Sequence, residues 1–256
     1  MADKCQFAIG LHVTAGRHGN ASAPRDCRRT LGWRKRCGMR AGAGVIICLL
    51  VHLAGGCGAA LAGETTRDLA REGWTLARQE AGVAIYRRPL AGSKFAALLA
   101  RAKFRAEPEE VFIKLSEYGS FSGFIPGVEV SRVLKRQGRD LWVYQRLGFP
   151  APVADRHYVI RIHNDSGESE PGIFRIEWNL DSSESAALQP RGAVVPGDFS
   201  GRWRLVPDQK AGMTRAVYEI HVDPGGRLPA WLFQRVAEGY VFQVMEAVRR
   251  RVEAAP

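Results

Sequence analysis

The chain has 256 residues, 46% hydrophobic and 25% charged, a composition that excludes a disordered or fibrous protein and suits one large domain or two small ones. Its formal net charge of +11 invites a nucleic-acid reading. Residues 1–62, however, hold nine Lys and Arg against Asp3 and Asp26, and the remainder carries 28 basic and 24 acidic side chains, a balance that gives no footing to a nucleic-acid partner.

Cysteine usage divides the chain at the same place. Cys5, Cys27, Cys37, Cys48 and Cys57 all precede residue 58. The remainder therefore has no disulfide, thiol nucleophile or thiolate metal site. It must be held by its core alone, for which 194 residues suffice.

Residues 1–38 are basic and Gly-rich with no hydrophobic periodicity. They read as a disordered extension, or as upstream sequence translated from too early a start; Met39 is the favoured start. Met39-Arg40 opens a short basic region, residues 41–56 are apolar over a signal-peptide length, and Ala60-Leu61-Ala62 before Gly63 is an A-x-A cleavage pattern. The expectation is a signal peptide over 39–62, cleaved near Ala62, and a periplasmic or secreted domain over 63–256. Ala54-Gly55-Gly56-Cys57 resembles a lipoprotein processing site with Ala in the place of the usual Leu, so anchoring through Cys57 is the lesser alternative. Arg28-Arg29-Thr30-Leu31 resembles a twin-arginine signal only superficially.

Thr65 to Gly73 predicts a short helix. Trp74–Arg78 and Val83–Arg88 predict strands joined at Glu80-Ala81-Gly82. Phe95–Arg105 alternates, with Leu98, Ala100, Ala102 and Phe104 on one face. At Pro108-Glu109-Glu110 the period changes, and Val111, Phe112, Leu115 and Tyr118 recur at helical spacing. Proline and two carboxylates in the first turn suit the positive end of a helix dipole.

Gly119–Gly127 (GSFSGFIPG) carries Phe121, Phe124 and Ile125 between glycines and a proline. These three either swing as a gate, plugging a cavity or dipping into a bilayer surface in a transient membrane contact, or pack permanently under a sheet. Strands then follow over Val128–Lys135, Leu141–Phe149, Arg156–Asn164, Ile173–Leu180, Gly201–Val206 and Thr214–Val222, with 181–186 and 190–201 as the longest loops. One long helix, Leu228 to about Glu253, ends the chain on a basic triplet. Alternating strands before a single long amphipathic helix predict an α+β domain, a curved antiparallel sheet with helices on one side. A monomer is expected.

The faces select the candidate site residues. Trp142, Tyr144 and Arg146 share one face of their strand; Arg156, Tyr158, Ile160 and Ile162 share one face of the next. Phe174, Ile176, Trp178 and Leu180 align on a third, Trp203 and Leu205 on a fourth, and Ala216, Tyr218, Ile220 and Val222 on a fifth. In the last helix Leu232, Val236, Tyr240, Val244 and Val248 form a stripe flanked by Phe233, Ala237 and Val241. Either these residues close a solid core, or the sheet curves too far for the helix to fill it and they line a cavity. Periodicity does not choose between the two.

Arg156 leads the candidates, because its face is otherwise apolar and an unpartnered buried charge costs several kcal/mol. It either makes an internal ion pair or loop-carbonyl bonds, or meets a ligand phosphate, carboxylate or hydroxyl. Trp142, Tyr144, Phe149 and Trp178 either pack as core or line a ligand and cage a cationic head group. Tyr158, Trp203, Tyr218 and Tyr240 join the candidate lining. His157, His163 and His221 read as exposed sheet-surface residues, with no metal expected. The chain has no G-x-S-x-G, Walker loop, H-E-x-x-H or G-x-G-x-x-G.

Three strings carry a family resemblance: residues 149–159 (FPAPVADRHYV), 200–207 (SGRWRLVP) and 223–232 (DPGGRLPAWL), with the opening Trp74…Gly82-Val83-Ala84-Ile85-Tyr86-Arg87-Arg88. Over roughly residues 64–253 the chain resembles the START (StAR-related lipid-transfer) domain of the Bet v 1-like, polyketide cyclase superfamily. The resemblance implies a helix-grip fold, with a sheet bent around the C-terminal helix and a tunnel between them. It implies binding of one lipid or sterol-like molecule without cofactor, metal or catalysis. The family usually has Arg-Asp where this chain has Arg156-His157, so an acid expected beside the arginine is missing and Asp155 precedes it instead. A cyclase or aromatase acting in the same pocket is the alternative, since such pockets need few catalytic groups; an interaction module built on 119–127 is a third reading.

Overall fold

A computed structural model of the chain describes residues 66–149, 153–226 and 228–254. The leader, its cleavage site, Cys57 and part of the 149–159 string lie outside those residues. The described chain runs α1 (Thr66–Arg71), β1 (Thr75–Glu80), β2 (Val83–Arg88), β3 (Ala97–Phe104), α2 (Pro108–Ser116), a 3-10 turn (Tyr118–Gly123), β4 (Val128–Gln137), β5 (Asp140–Leu147), β6 (Asp155–Asp165), β7 (Phe174–Leu180), α3 (Ser182–Leu188), β8 (Ala193–Val194), β9 (Asp198–Pro207), β10 (Thr214–Asp223) and α4 (Ala230–Glu253).

The sheet has ten strands in the order β1-β2-β3-β10-β9-β7-β6-β5-β4, antiparallel along that path, with β8 pairing parallel to β6. Its outer strands are irregular: β1 is bulged between Leu76 and Arg78, and β4 between Val128 and Val130 and again between Val133 and Lys135. The β1–β2 connection places Ala81 at φ 47° and Gly82 at φ 76°, the left-handed pair that a two-residue hairpin turn requires.

Register decides which face points inward. Tyr218 opposes Trp203 on one side and Ala100 on the other, and Ala100 in turn opposes Ile85. Ile162 opposes Trp178, and Ile176 opposes Trp203. These residues, with Val241, Val244, Met245 and Val248 of α4, form the main core. α4 lies against β2, β3 and α2. On the outer face Leu69 of α1 and Trp74 bury a separate cluster with Tyr86, Ala97 and Leu99.

Gly201 marks the closest approach within the sheet. A Cβ there would lie 2.3 Å from Trp178 Cζ2 and 2.5 Å from the Glu219 carbonyl oxygen. The glycine of the 200–207 string is therefore a seat for an indole ring.

The predicted elements are found, with three differences. The serine-rich stretch expected as a loop forms α3, because Asp181 accepts from the Glu184 N–H at 3.0 Å and caps the helix. β9 begins at Asp198, three residues before the apolar alternation starts. The stripe expected on the last helix is buried only from Val241 onward: Leu232 is 39% and Val236 51% exposed, while Phe233, Ala237 and Tyr240 turn toward the sheet.

Candidate functional site

Between the sheet and α4 lie two internal chambers of about 80 and 100 Å3. Leu147, Tyr158, Phe199 and Tyr240 border both and stand between them. The inner chamber is lined from the sheet by Gln145, Ile160, Ile162, Ile176, Trp178, Trp203 and Tyr218, and is closed by Leu115, Tyr118, Phe121 and Ile125. The outer chamber lies under the first half of α4, with Phe233, Val236 and Ala237 over Leu98, Phe149, Arg156 and Ile220.

Aromatic rings form the floor. Trp203 stacks on Tyr218 at 4.4 Å, Tyr218 on Trp178 at 5.8 Å, and Phe199 packs against Tyr158 at 4.5 Å. The polar atoms among them fall into two sets. Tyr158 donates its hydroxyl to Gln145 Oε1 at 3.0 Å, Gln145 Nε2 donates to Ser131 Oγ at 3.2 Å, and Ser131 donates to the Tyr118 carbonyl at 2.6 Å. This relay is closed. The Tyr218 and Tyr240 hydroxyls make no hydrogen bond among the described residues, and Trp178 Nε1 is buried without an acceptor. Burial pushes the Tyr158, Tyr218 and Tyr240 phenols well above their ordinary range, so all three stay neutral.

Arg156 is 6% exposed. Its Nε donates to the Pro224 carbonyl at 2.7 Å, Nη1 to the Ala154 carbonyl and Nη2 to the Gly225 carbonyl at 3.4 Å. The loop-carbonyl alternative is thus realised, and no carboxylate pairs with it among the described residues. Burial lowers its pKa, and Asp155 opposes that shift only at a distance. Phe149 stands 5.7 Å from the guanidinium.

The expectation of a missing acid beside Arg156 is resolved by the alternation of the strand. Residue 157 points to the opposite face, where His157 opposes Arg146. Asp155 takes Arg146 as its partner, at 3.0 Å from Nε and 2.5 Å from Nη2. That ion pair belongs to the outer surface and is not shared with Arg156.

Trp142 and Tyr144 are corrected by the same register. They oppose Arg161 and Val159 and bury an outer-face cluster with Val159, away from both chambers. Trp142 donates to Asp181 Oδ2 at 2.9 Å, between Lys135 at 4.3 Å and Arg161 at 5.3 Å from its ring. Their alternating neighbours Val143 and Gln145 face inward instead. Of the gate residues, Phe121 and Ile125 line the inner chamber, whereas Phe124 packs edge-on against Phe121 at 5.4 Å beneath Arg251 and touches neither chamber.

Two of the histidines depart from an exposed position. His157 is 2% exposed, and burial followed by the nearby Arg146 charge holds its pKa below the ordinary value. His221 is half-buried, with Nδ1 2.6 Å from Asp198 and Nε2 3.0 Å from Ser93 Oγ. Ser93 Oγ also accepts the Phe95 N–H at 3.1 Å, so the three groups tie the turn before β3 to the sheet. His163 is exposed and rests on Asp140 at 2.9 Å. Among the described residues no cluster of His, Cys, Asp or Glu could hold a metal, and no helix is long and apolar enough to cross a membrane.

Sequence reasoning missed Gln145, Phe199 and the inward flank of α4. Gln145 had a readable signal, as the polar member of the set Leu141, Val143, Gln145 and Leu147. Phe199 had none, because it lies in a stretch without apolar alternation.

Comparison with known proteins agrees with this architecture. An uncharacterized protein of Pseudomonas aeruginosa is 25% identical over 182 residues, covering 71% of this chain and 88% of its own. The STAR-related lipid transfer protein fragment of Xanthomonas axonopodis superposes with a TM-score of 0.63 at 25% identity, covering 71% of this chain and 99% of the fragment. Human StAR-related lipid transfer protein 5 superposes with a TM-score of 0.64 at 15% identity, covering 71% and 86%, and shares the fold. Residues 105–249 match the family described as polyketide cyclase / dehydrase and lipid transport, and with the curved ten-stranded sheet and its C-terminal helix this chain belongs to that family.

Proposed function

We propose that the domain binds one hydrophobic, lipid-like molecule between the sheet and α4 and carries or senses it without chemistry. The carrying observation is the pair of apolar chambers, the outer one under the least buried half of α4. Protein interiors are close-packed, and apolar spaces of about 80 and 100 Å3 leave their linings without packing partners on one side. A core serving stability alone would fill them. Neither chamber is large enough for a lipid, since ligand pockets run from about 300 Å3 upward. Uptake therefore requires the roof to lift. The roof of the outer chamber is the part of α4 with least burial, where Trp231 is 71% exposed, and the shared border residues let the two spaces merge.

The chemistry of the lining favours binding over catalysis. Among the described residues no carboxylate or imidazole faces either chamber. The phenols are held neutral, which suits donation of hydrogen bonds and gives no general base.

The test is transfer of a fluorescent phospholipid or sterol between vesicles by the full chain, with native mass spectrometry for bound ligand. Ala237→Leu adds three side-chain carbons to the roof of the outer chamber, which has room for them, and should weaken uptake while a thermal melt shows the protein still folded. Absence of uptake by the wild type would refute the reading, and turnover of a polyketide substrate would replace it with the cyclase reading.

A further inference from the structure

We infer that the outer chamber receives the acid end of a single-chain amphiphile, with its carboxylate on Arg156 and its alkyl chain running past Tyr240 into the inner chamber. The inference rests on the proposed ligand-binding reading and names the class of ligand.

A guanidinium has five N–H donors in a fixed fork. Three are committed to the carbonyls of Pro224, Ala154 and Gly225, which leaves one on Nη1 and one on Nη2. Two N–H groups on the terminal nitrogens are the donor pair that a planar carboxylate takes end-on, by charge-assisted bonds. The carbonyls fix the orientation of the fork but carry no charge. Arg156 is therefore a cation 6% exposed without an anion among the described residues, and buried charges ordinarily have one. Asp155, the acid nearest in sequence, is held on the opposite face by Arg146.

The surroundings fit a fatty chain behind the acid group. Arg156 is the one charged side chain bordering the outer chamber among the described residues, and the rest of the wall is apolar apart from the two tyrosines. Val236 borders the same space and is 51% exposed, so the wall opposite the sheet is thin there. Beyond the tyrosines the inner chamber has no charged wall residue among those described. A molecule with one terminal charge and one long apolar body matches that asymmetry. An uncharged alcohol of the same length would leave the cation unneutralised.

The experiment is calorimetric titration of the full chain, stripped of bound lipid, with dodecanoate and with dodecanol at mildly alkaline pH, where the free acid is ionised. Dodecanoate should bind at least about tenfold more tightly, the yield expected of charge-assisted hydrogen bonds. Arg156→Met should bring the acid down to the level of dodecanol and leave dodecanol unchanged. Arg156→Lys keeps the charge without the fork and should fall between them. Equal affinity for acid and alcohol in the wild type overturns the inference while leaving the ligand-binding reading in place. Binding of neither also overturns the inference, and the vesicle-transfer assay with phospholipid or sterol then decides whether the ligand-binding reading falls with it. Should Arg156→Met fail to fold, the wild-type comparison and Arg156→Lys still decide.

Discussion

Gly201→Ala tests whether the aromatic floor is set by a single missing methyl. The new Cβ would stand 2.3 Å from Trp178 Cζ2, 2.9 Å from Cε2 and 2.5 Å from the Glu219 carbonyl oxygen. The indole could yield by rotating toward the inner chamber, at the expense of its stacking on Tyr218. The carbonyl cannot move alone, because Glu219 sits in β10 opposite Arg202, one rung from the Gly201–Ile220 pair. A clash with both backbone and ring belongs at the upper end of overpacking costs, about 3 kcal/mol. For a domain of this size that lowers the melting temperature by roughly 6–12 °C. Urea unfolding followed by tryptophan fluorescence should show a lower midpoint at an unchanged slope. In a Trp178→Phe background the same change should cost less, since only the carbonyl contact remains, and the difference measures the ring's share. A Gly201→Ala protein within about 0.5 kcal/mol of wild type would refute the argument.

Trp142→Ala should cost about 3 kcal/mol, since it removes a buried ring and the bond to Asp181 that anchors α3, yet leave ligand affinity unchanged; altered binding per folded molecule would contradict its outer placement. Burial, and then the Arg146 charge, lower the His157 pKa in the folded chain, whereas the unfolded chain takes up a proton as pH falls through about 6.5, so stability is lost on acidification from there downward. His157→Phe should flatten the urea midpoint between about pH 7 and pH 5 relative to wild type, and parallel curves would show that this histidine does not contribute. Phe121→Ala enlarges the inner chamber and should alter lipid exchange, whereas Phe124→Ala should lower stability with exchange per folded molecule unchanged. The opposite pattern would move the gate to Phe124.

Alternation made most of the strands legible, and the change of period at Pro108 and at the last helix made those helices legible. Which face of a strand turns inward was not always legible. β6 carries charge or imidazole at His157, Arg161 and His163, so its apolar face stands out. In β5, Trp142 and Tyr144 are as apolar as Val143 and Leu147, and only the pairing of Gln145 with Tyr158 settles the choice. The outer aromatics are tolerated because α3 and its cap cover Trp142, and that helix was hidden in a serine-rich segment whose cap signal, Asp181 three residues before Glu184, was outweighed by composition. Arg156 was found by its placement on an apolar face. Its partners were not legible, being main-chain carbonyls that no side-chain pattern records.

The irregular outer strands bear on how the protein behaves at high concentration. Among the described residues the sheet does not close, which leaves rows of N–H and C=O groups on β1 and β4, a template for another chain to add a strand. Both rows are interrupted by bulges, so neither offers a long straight ladder. Charges crowd the same strands, with Arg78 and Glu80 on one and Arg132, Lys135 and Arg136 on the other. An incoming strand would have to desolvate those side chains while matching a broken spacing. The open edges are thereby protected against fibril growth even though Val130 and Leu134 are each 39% exposed on β4.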